Sequence, residues 1–123
     1  MTVEQAVKLV DALEPNGYSR DQKVRWLSAL DGRVFREVLQ QYEDCPMQCF
    51  AGYVDAQGST CLLVPFPYDE DVYSFYLQSR IALENGEAAR YNRAVTLFNS
   101  AFQAFEKDYR RNHRPVSYGQ FRL

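Results

Sequence analysis

Hydrophobic residues recur three and four positions apart along the first third of the chain, which is the spacing of one face of an α-helix. This pattern predicts a helix over residues 3–14 and a second helix from Ser19 to about Tyr42, with turn residues between them. The period continues through Gly32 without a change of phase. We therefore expect this glycine inside the second helix, at a point of close helix packing.

The same spacing returns in the second half of the chain. It predicts a third helix that starts after Pro67 and a fourth helix from about Glu87 to Asn112, joined by an Asn-Gly turn. Because that turn is so short, the two helices should form an antiparallel hairpin. We expect an aromatic seam of the fourth helix to lie in the core. Its residues are Tyr91, Val95, Phe98, Phe102, Phe105 and Tyr109.

Residues 43–67 differ from both helical parts, because prolines and glycines exclude a long helix there. The runs CFAGYV and TCLLVP favour β-structure and flank the turn-like residues DAQG. They predict a short β-hairpin or an extended arm between the second and third helices. The whole sequence therefore predicts an all-α fold, an antiparallel bundle of about four helices that carries this arm.

Length and composition bound the class of protein. The 123 residues suit one domain, so we expect residues 1–123 to form a single helical domain with a flexible tail at 115–123. A net charge of -2 gives no general attraction to nucleic acid or to anionic membranes. No apolar run approaches the ~20 residues of a membrane span. The N-terminus lacks the pattern of a secretory signal, which favours a cytosolic origin.

The three cysteines, Cys45, Cys49 and Cys61, cannot all pair within one chain, and a reducing compartment is the simpler interpretation. A structural zinc site needs four ligands, and only the distant His113 is available as the fourth. We therefore expect ordinary thiols, with neither a metal ion nor another cofactor.

Few residues are candidates for chemistry. Glu84 and Glu87 have the spacing with which some small all-α enzymes bind magnesium and hydrolyse nucleoside triphosphates, but an Asn-Gly pair breaks the helix between them. His113 lies in a basic segment at residues 107–114, where cations suit the helix dipole, and we expect it to be a solvated helix-end residue. A contact of this basic segment with DNA is a further possibility.

The segment from Tyr68 to Pro115 resembles a group of prophage-encoded proteins from Gram-positive bacteria. The shared pattern is a Tyr-rich helix, an Asn-Gly-Glu turn, a Tyr-Asn pair, a Phe-Asn pair and a closing aromatic-basic segment. The runs RWLSALDGRVFREV and LLVPFPYDE also resemble earlier parts of that group. The positions that carry the pattern are Asn85, Gly86 and Glu87, Tyr91 and Asn92, Phe98 and Asn99, and Tyr109 to Arg111.

Proteins of this group are generally encoded among phage head and tail morphogenesis genes. Their layout is similar to that of the small helical head–tail connector, or adaptor, proteins of long-tailed phages. The resemblance implies a virion assembly protein that acts at the portal–tail junction, with phage portal and tail-completion proteins as partners and a homo-oligomeric ring in the assembled particle. It implies no catalytic residue, no cofactor and no sequence-specific nucleic-acid contact. It also implies a location in the virion, or in the host cytoplasm during assembly.

Two alternatives stay open: an all-α magnesium-dependent nucleotide pyrophosphohydrolase, and a small helical DNA-binding or regulatory module. Under the assembly hypothesis, the extended arm and the C-terminal tail are the expected assembly surfaces. Both carry apolar or aromatic groups that a core of this size does not easily cover, and free strand edges can pair with a neighbour. The candidate interface residues are Phe50, Tyr53, Leu62, Leu63, Asn92, Asn99, Tyr118 and Phe121.

Overall fold

A computed structural model describes residues 1–53 and 58–116. Its helices are α1 (Val3–Leu13), α2 (Arg20–Glu37), α3 (Asp69–Asn85) and α4 (Ala88–Asn112), with one turn of 3₁₀ helix (Leu39–Gln41) after α2. Within these described residues there is no β-strand, and two isolated antiparallel β-bridges are the only β-pairing. The predicted all-α class is confirmed. Among the described helices, none combines the length and the apolar content that a bilayer crossing requires.

The helix ends follow the local sequence. Thr2 caps α1, because its hydroxyl accepts a hydrogen bond from the Gln5 amide while the Gln5 side chain accepts one from the Thr2 amide. The hydroxyl of Ser19 caps α2 by accepting from the amide of Gln22. Gly86 ends α3 with a φ of 72°, a left-handed conformation that glycine adopts without strain.

The central element of the fold is α3. It packs against α1, α2 and α4, and its buried residues are spread around its circumference instead of forming one stripe. Tyr73, Leu77 and Ile81 are among its fully buried side chains. The helices thus pack around α3, and the predicted antiparallel bundle of four helices is not confirmed.

Helices α3 and α4 lie antiparallel to each other. The ring of Tyr68, just before α3, is 6.4 Å from that of Phe105, and the ring of Tyr76 is 5.5 Å from that of Phe98, measured between centroids. Early residues of α3 therefore contact late residues of α4. Phe98, Phe102 and Phe105 are buried, so the centre of the predicted aromatic seam lies in the core.

Helix α2 ends at Glu37, earlier than the predicted boundary near Tyr42. After the single 3₁₀ turn, the Gln41 carbonyl accepts a hydrogen bond of 2.9 Å from the amide of Val116. The amides of Gln41 and Tyr42 bond to the carbonyls of Val38 and Leu39, three residues back, so the chain tightens after Glu37 and then leaves the helix. The pairing with Val116 follows this turn.

The same pairing changes the description of the tail predicted over 115–123. The Glu43 amide donates to the Arg114 carbonyl at 2.9 Å, and Tyr42 forms a β-bridge with Pro115. The first residues of the predicted tail are therefore attached to the segment after α2. Residues 117–123 lie outside the described part of the chain.

The predicted β-hairpin is not confirmed. The Thr60 carbonyl accepts from the Val3 amide and the Leu62 amide donates to the Met1 carbonyl, both at 2.9 Å. The TCLLVP run thus pairs with the residues that lead into α1, because the first amides of a helix have no partner within the helix. Residues 54–57, which include most of the predicted turn, lie outside the described residues.

Gly32 lies inside α2, as predicted, but the expectation of close packing there is wrong. A Cβ atom at this position would meet no heavy atom within 4 Å. The space beside it is open, so the position accommodates a side chain.

Candidate functional site

Asp31 of α2 is completely buried in the core. Its Oδ1 accepts a hydrogen bond of 2.6 Å from the Tyr73 hydroxyl. Its Oδ2 accepts from the Tyr53 hydroxyl and, at 2.9 Å, from the amide of Leu63. Three donors from three different segments therefore converge on one carboxylate, as a buried charged group requires. We call Asp31 and its three donors the Asp31 network.

The electrostatics of this network follow from its burial. Loss of solvation raises the pKa of Asp31 above its ordinary 3.8, while the three hydrogen bonds oppose the shift. Burial, together with the neighbouring Asp31 charge, raises the pKa of Tyr53 and that of Tyr73. Both hydroxyls therefore keep their protons and act as donors at neutral pH.

The Asp31 network positions the segment that leads into α3. Before residues 54–57, the Tyr53 amide donates to the Ser28 hydroxyl at 2.7 Å. Just before the turn into α3, the Val64 amide donates to the Tyr73 hydroxyl at 2.8 Å. Since Tyr73 also holds Asp31, one tyrosine of α3 attaches the segment to α2 and α3 at the same time.

Directly after this anchored segment the backbone turns tightly. The Pro65 carbonyl accepts hydrogen bonds from the amides of Tyr68 and Asp69, at 3.0 and 3.1 Å. Phe66 stands at the tip and is 86% exposed, the largest value among the large hydrophobic side chains of the described residues. We call residues 64–69 the Phe66 turn. Aromatic residues are enriched at the centres of protein interfaces, so an exposed ring on an ordered backbone is a candidate contact residue.

Charged side chains flank the Phe66 turn. A shallow depression beside the ring includes Lys8 of α1 and Glu70 of α3. Glu70 is exposed, and its carboxylate takes part in no ion pair within the described residues. The turn therefore presents an aromatic ring with a cationic and an anionic side chain beside it.

A groove of about 230 Å³ lies where the later part of α3 meets the first half of α4 and the end of α1. Arg90 on its rim is bonded to Glu14 at 2.7 Å. Arg93 is exposed and forms no ion pair within the described part of the chain. We call this depression the Arg93 groove. Its lining residues are Glu14, Phe75, Gln78, Arg90, Arg93, Ala94 and Leu97.

The structure separates the predicted interface residues of the extended arm. Tyr53 and Leu62 are buried within the chain, so internal packing accounts for their apolar character without a partner. Phe50 and Leu63 are half-buried, and the Phe50 ring packs edge-on against that of Tyr53 at 5.1 Å. Among the described residues of the arm these four side chains are buried or half-buried, and an interface role for them stays a prediction.

The other predicted interface residues do not join a common site within the described residues. Asn92 and Asn99 are exposed on α4, away from its buried face. Tyr118 and Phe121 lie outside the described residues. An interface role for these four residues stays a prediction.

Glu84 and Glu87 lie on either side of the Gly86 turn and take part in ion pairs with arginines. Glu84 lies 3.7 Å from Arg80, and Glu87 lies 3.6 Å from Arg90. Among the described residues, no group of three or more His, Cys, Asp or Glu side chains is placed to hold a metal ion. Cys45, Cys49 and Cys61 are free thiols.

His113 is not the solvated helix-end residue that the sequence suggested. Its ring stacks on that of Tyr109 with centroids 3.7 Å apart, and its Nδ1 lies 2.6 Å from a carboxylate oxygen of Asp44. Burial and the nearby Asp44 charge raise the pKa of Tyr109 to about 12. The Tyr42 ring packs edge-on against Tyr109 at 5.1 Å. This cluster attaches the end of α4 to the segment after α2.

Sequence reasoning did not identify Asp31 or Phe66, although each has a signal in the sequence. Asp31 falls among the apolar positions of α2 that include Leu27 and Val34, and a carboxylate there requires buried donors. Phe66 stands between two prolines, which restrict the backbone and favour a turn. The chain matches no protein-family model, no curated protein and no solved structure.

Proposed function

We propose that the chain is a virion assembly protein of the phage head–tail connector class, which acts through protein–protein contacts at the portal–tail junction. The Phe66 turn is the observation that carries this proposal. Phe66 is 86% exposed, yet the backbone beside it is fixed by the Asp31 network. A prepositioned aromatic loses little conformational freedom on binding, and aromatic residues are enriched at the centres of interfaces.

The resemblance of residues 68–115 to prophage-encoded proteins supports the same class. In the structure these residues form α3 and α4, the helices that hold the Phe66 turn in place. Tyr73 is the direct link, because its hydroxyl accepts from the Val64 amide at the start of the turn. Residues 68–115, which carry the resemblance, therefore also hold the exposed Phe66 in position.

The proposed partners are the phage portal and tail-completion proteins, in a homo-oligomeric ring. Each subunit offers a small apolar contact, which by itself gives a weak complex. A ring that engages a portal at many equivalent sites multiplies such contacts. We therefore expect the free protein to be a monomer or a small oligomer in dilute solution and to assemble on the portal.

The test is sedimentation of the protein with rings of a phage portal protein. Wild-type protein should sediment with the rings, and Phe66→Ser should bind much more weakly. Leu83→Ser is the matched control, because Leu83 is also exposed, at 47%, but lies at the opposite end of α3. If wild-type protein stays in the supernatant with both portal and tail-completion proteins, the proposal is wrong.

A further inference from the structure

We propose that the Phe66 turn of one copy of the chain docks into the Arg93 groove of a second copy. This inference rests on the proposed function, since it names the contact that would link neighbouring subunits of a ring. Phe66 then acts between subunits, and Phe66→Ser weakens binding to portal rings because unlinked subunits lose the gain from many equivalent sites. Both features are formed by ordered elements: the turn is closed by the Pro65 carbonyl, and the groove is walled by α1, α3 and α4.

Size and the apolar side chains within the groove favour this pairing. An apolar cavity of about 150 Å³ holds a benzene molecule. The Arg93 groove, at about 230 Å³, is large enough for the phenyl ring of Phe66. Phe75 and Leu97 offer apolar contacts between the charged and polar side chains that line the rest of the groove, and Leu97 is 38% exposed in the isolated chain. Docking would remove both Phe66 and Leu97 from water.

Charged groups of both signs stand beside each feature: Lys8 and Glu70 lie next to Phe66, and Glu14, Arg90 and Arg93 line the groove. Glu70 stands next to Phe66, whereas Arg93 stands on the rim of the groove, and both lack an ion-pair partner within the described residues. Docking would bring this carboxylate towards this guanidinium. A guanidinium near an aromatic ring is also attracted to its face, so Arg93 suits both Glu70 and Phe66.

Geometry prevents a copy from filling its own groove. Asp69, in the Phe66 turn, and Gln78, in the groove, are nine residues apart on α3, which is about 14 Å along the helix axis. The turn is held by backbone hydrogen bonds and does not reach that far. Each copy therefore offers one turn and one groove to two different neighbours. Contacts between two different patches of this kind continue from subunit to subunit and produce rings when the rotation closes.

The experiment is sedimentation velocity of the full chain from micromolar to millimolar concentration. The wild-type protein should associate reversibly, and Phe66→Ser should weaken the association about tenfold to a hundredfold, which is the effect of removing one large buried side chain. Leu83→Ser is the control and should associate like the wild type. Circular dichroism and thermal unfolding should be the same for all three proteins.

A charge exchange tests the orientation of the contact. Glu70→Arg and Arg93→Glu should each weaken association, because each places like charges together. Combining both substitutions in one chain should restore it. Mixing the two singly substituted proteins should restore it too, because every turn then meets a groove of opposite charge.

Three results would overturn the inference: a wild-type protein that stays monomeric to millimolar concentration, an effect of Leu83→Ser equal to that of Phe66→Ser, or no recovery in the charge exchange. Loss of portal binding by Phe66→Ser with a strictly monomeric wild type would show that the turn docks on a different protein, which also overturns it. Failure here is distinguishable from failure of the proposed function, because binding of the wild type to portal rings is measured separately.

Discussion

Replacing Tyr73 by Phe should destabilise the protein by far more than the loss of one oxygen atom suggests. The Tyr73 hydroxyl donates to Asp31 at 2.6 Å and accepts from the Val64 amide at 2.8 Å, and all three residues are buried. The substitution leaves the ring packing intact. It therefore isolates the two hydrogen bonds and the attachment of the Phe66 turn.

The magnitude follows from the groups left without partners. A hydrogen bond to a charged group contributes about 1.5–3 kcal/mol, and a buried amide left unsatisfied costs about 1–3 kcal/mol. Because Asp31 keeps two of its three donors, we expect a loss of about 3–5 kcal/mol in the free energy of unfolding for Tyr73→Phe. Tyr53→Phe removes a single donor from Asp31 and should cost about 1.5–3 kcal/mol.

Urea denaturation followed by the fluorescence of Trp26 measures this loss by linear extrapolation. Tyr76→Phe is the matched control, because Tyr76 lies on the same helix and is only half-buried. It should change stability by less than about 0.5 kcal/mol. If Tyr73→Phe costs less than about 1 kcal/mol, or no more than the control, the Asp31 network does not hold the segment as described.

Three further perturbations have clear expected outcomes. Phe98→Ala should lower the free energy of unfolding by about 3–5 kcal/mol, because Phe98 is only 4% exposed; a loss below about 1 kcal/mol in chemical denaturation would remove it from the core. Gly32→Ala should stabilise the protein by about 0.5–1 kcal/mol, since a Cβ there meets no neighbour, and a lower melting temperature would contradict this. Because the pKa of Asp31 is higher in the folded state, the folded state binds the Asp31 proton more tightly than the unfolded chain does. This binding stabilises the folded state fully below pH 3.8, and the stabilisation is lost as pH rises through the folded-state pKa. The stability difference between wild type and Asp31→Asn should therefore move in favour of the wild type as pH falls through that window, and a constant difference in urea titrations would refute the shift.

The helices were predictable because their signals are local. Capping by Thr2 and Ser19, the left-handed turn at Gly86 and the apolar period of α4 all arise from residues close together in sequence. Such signals do not depend on where the rest of the chain lies. The class of fold, and most helix boundaries, follow from them.

What the sequence did not predict depends on long-range pairing. The segment after α2 pairs with residues 114–116, and the TCLLVP run pairs with the first residues of the chain. Both partners are distant in sequence, so no local pattern indicates them. The composition of the TCLLVP run does favour β-pairing, but composition alone does not indicate which backbone segment the run pairs with.

The candidate site was missed for a related reason. Composition marked the apolar residues of the arm as surplus, whereas the structure buries Tyr53 and Leu62 and exposes Phe66 a few residues later. The hydrogen bonds of the Asp31 network determine which of these neighbouring apolar residues is buried. That arrangement exists only once α2, α3 and the segment between them are packed together.

Electron microscopy of portal rings incubated with an excess of the protein tests the central claim most directly. The account predicts a second ring of density stacked coaxially on one end of each portal, present with wild-type protein and absent or incomplete with Phe66→Ser. Portal rings that look the same with and without the wild-type protein would contradict it.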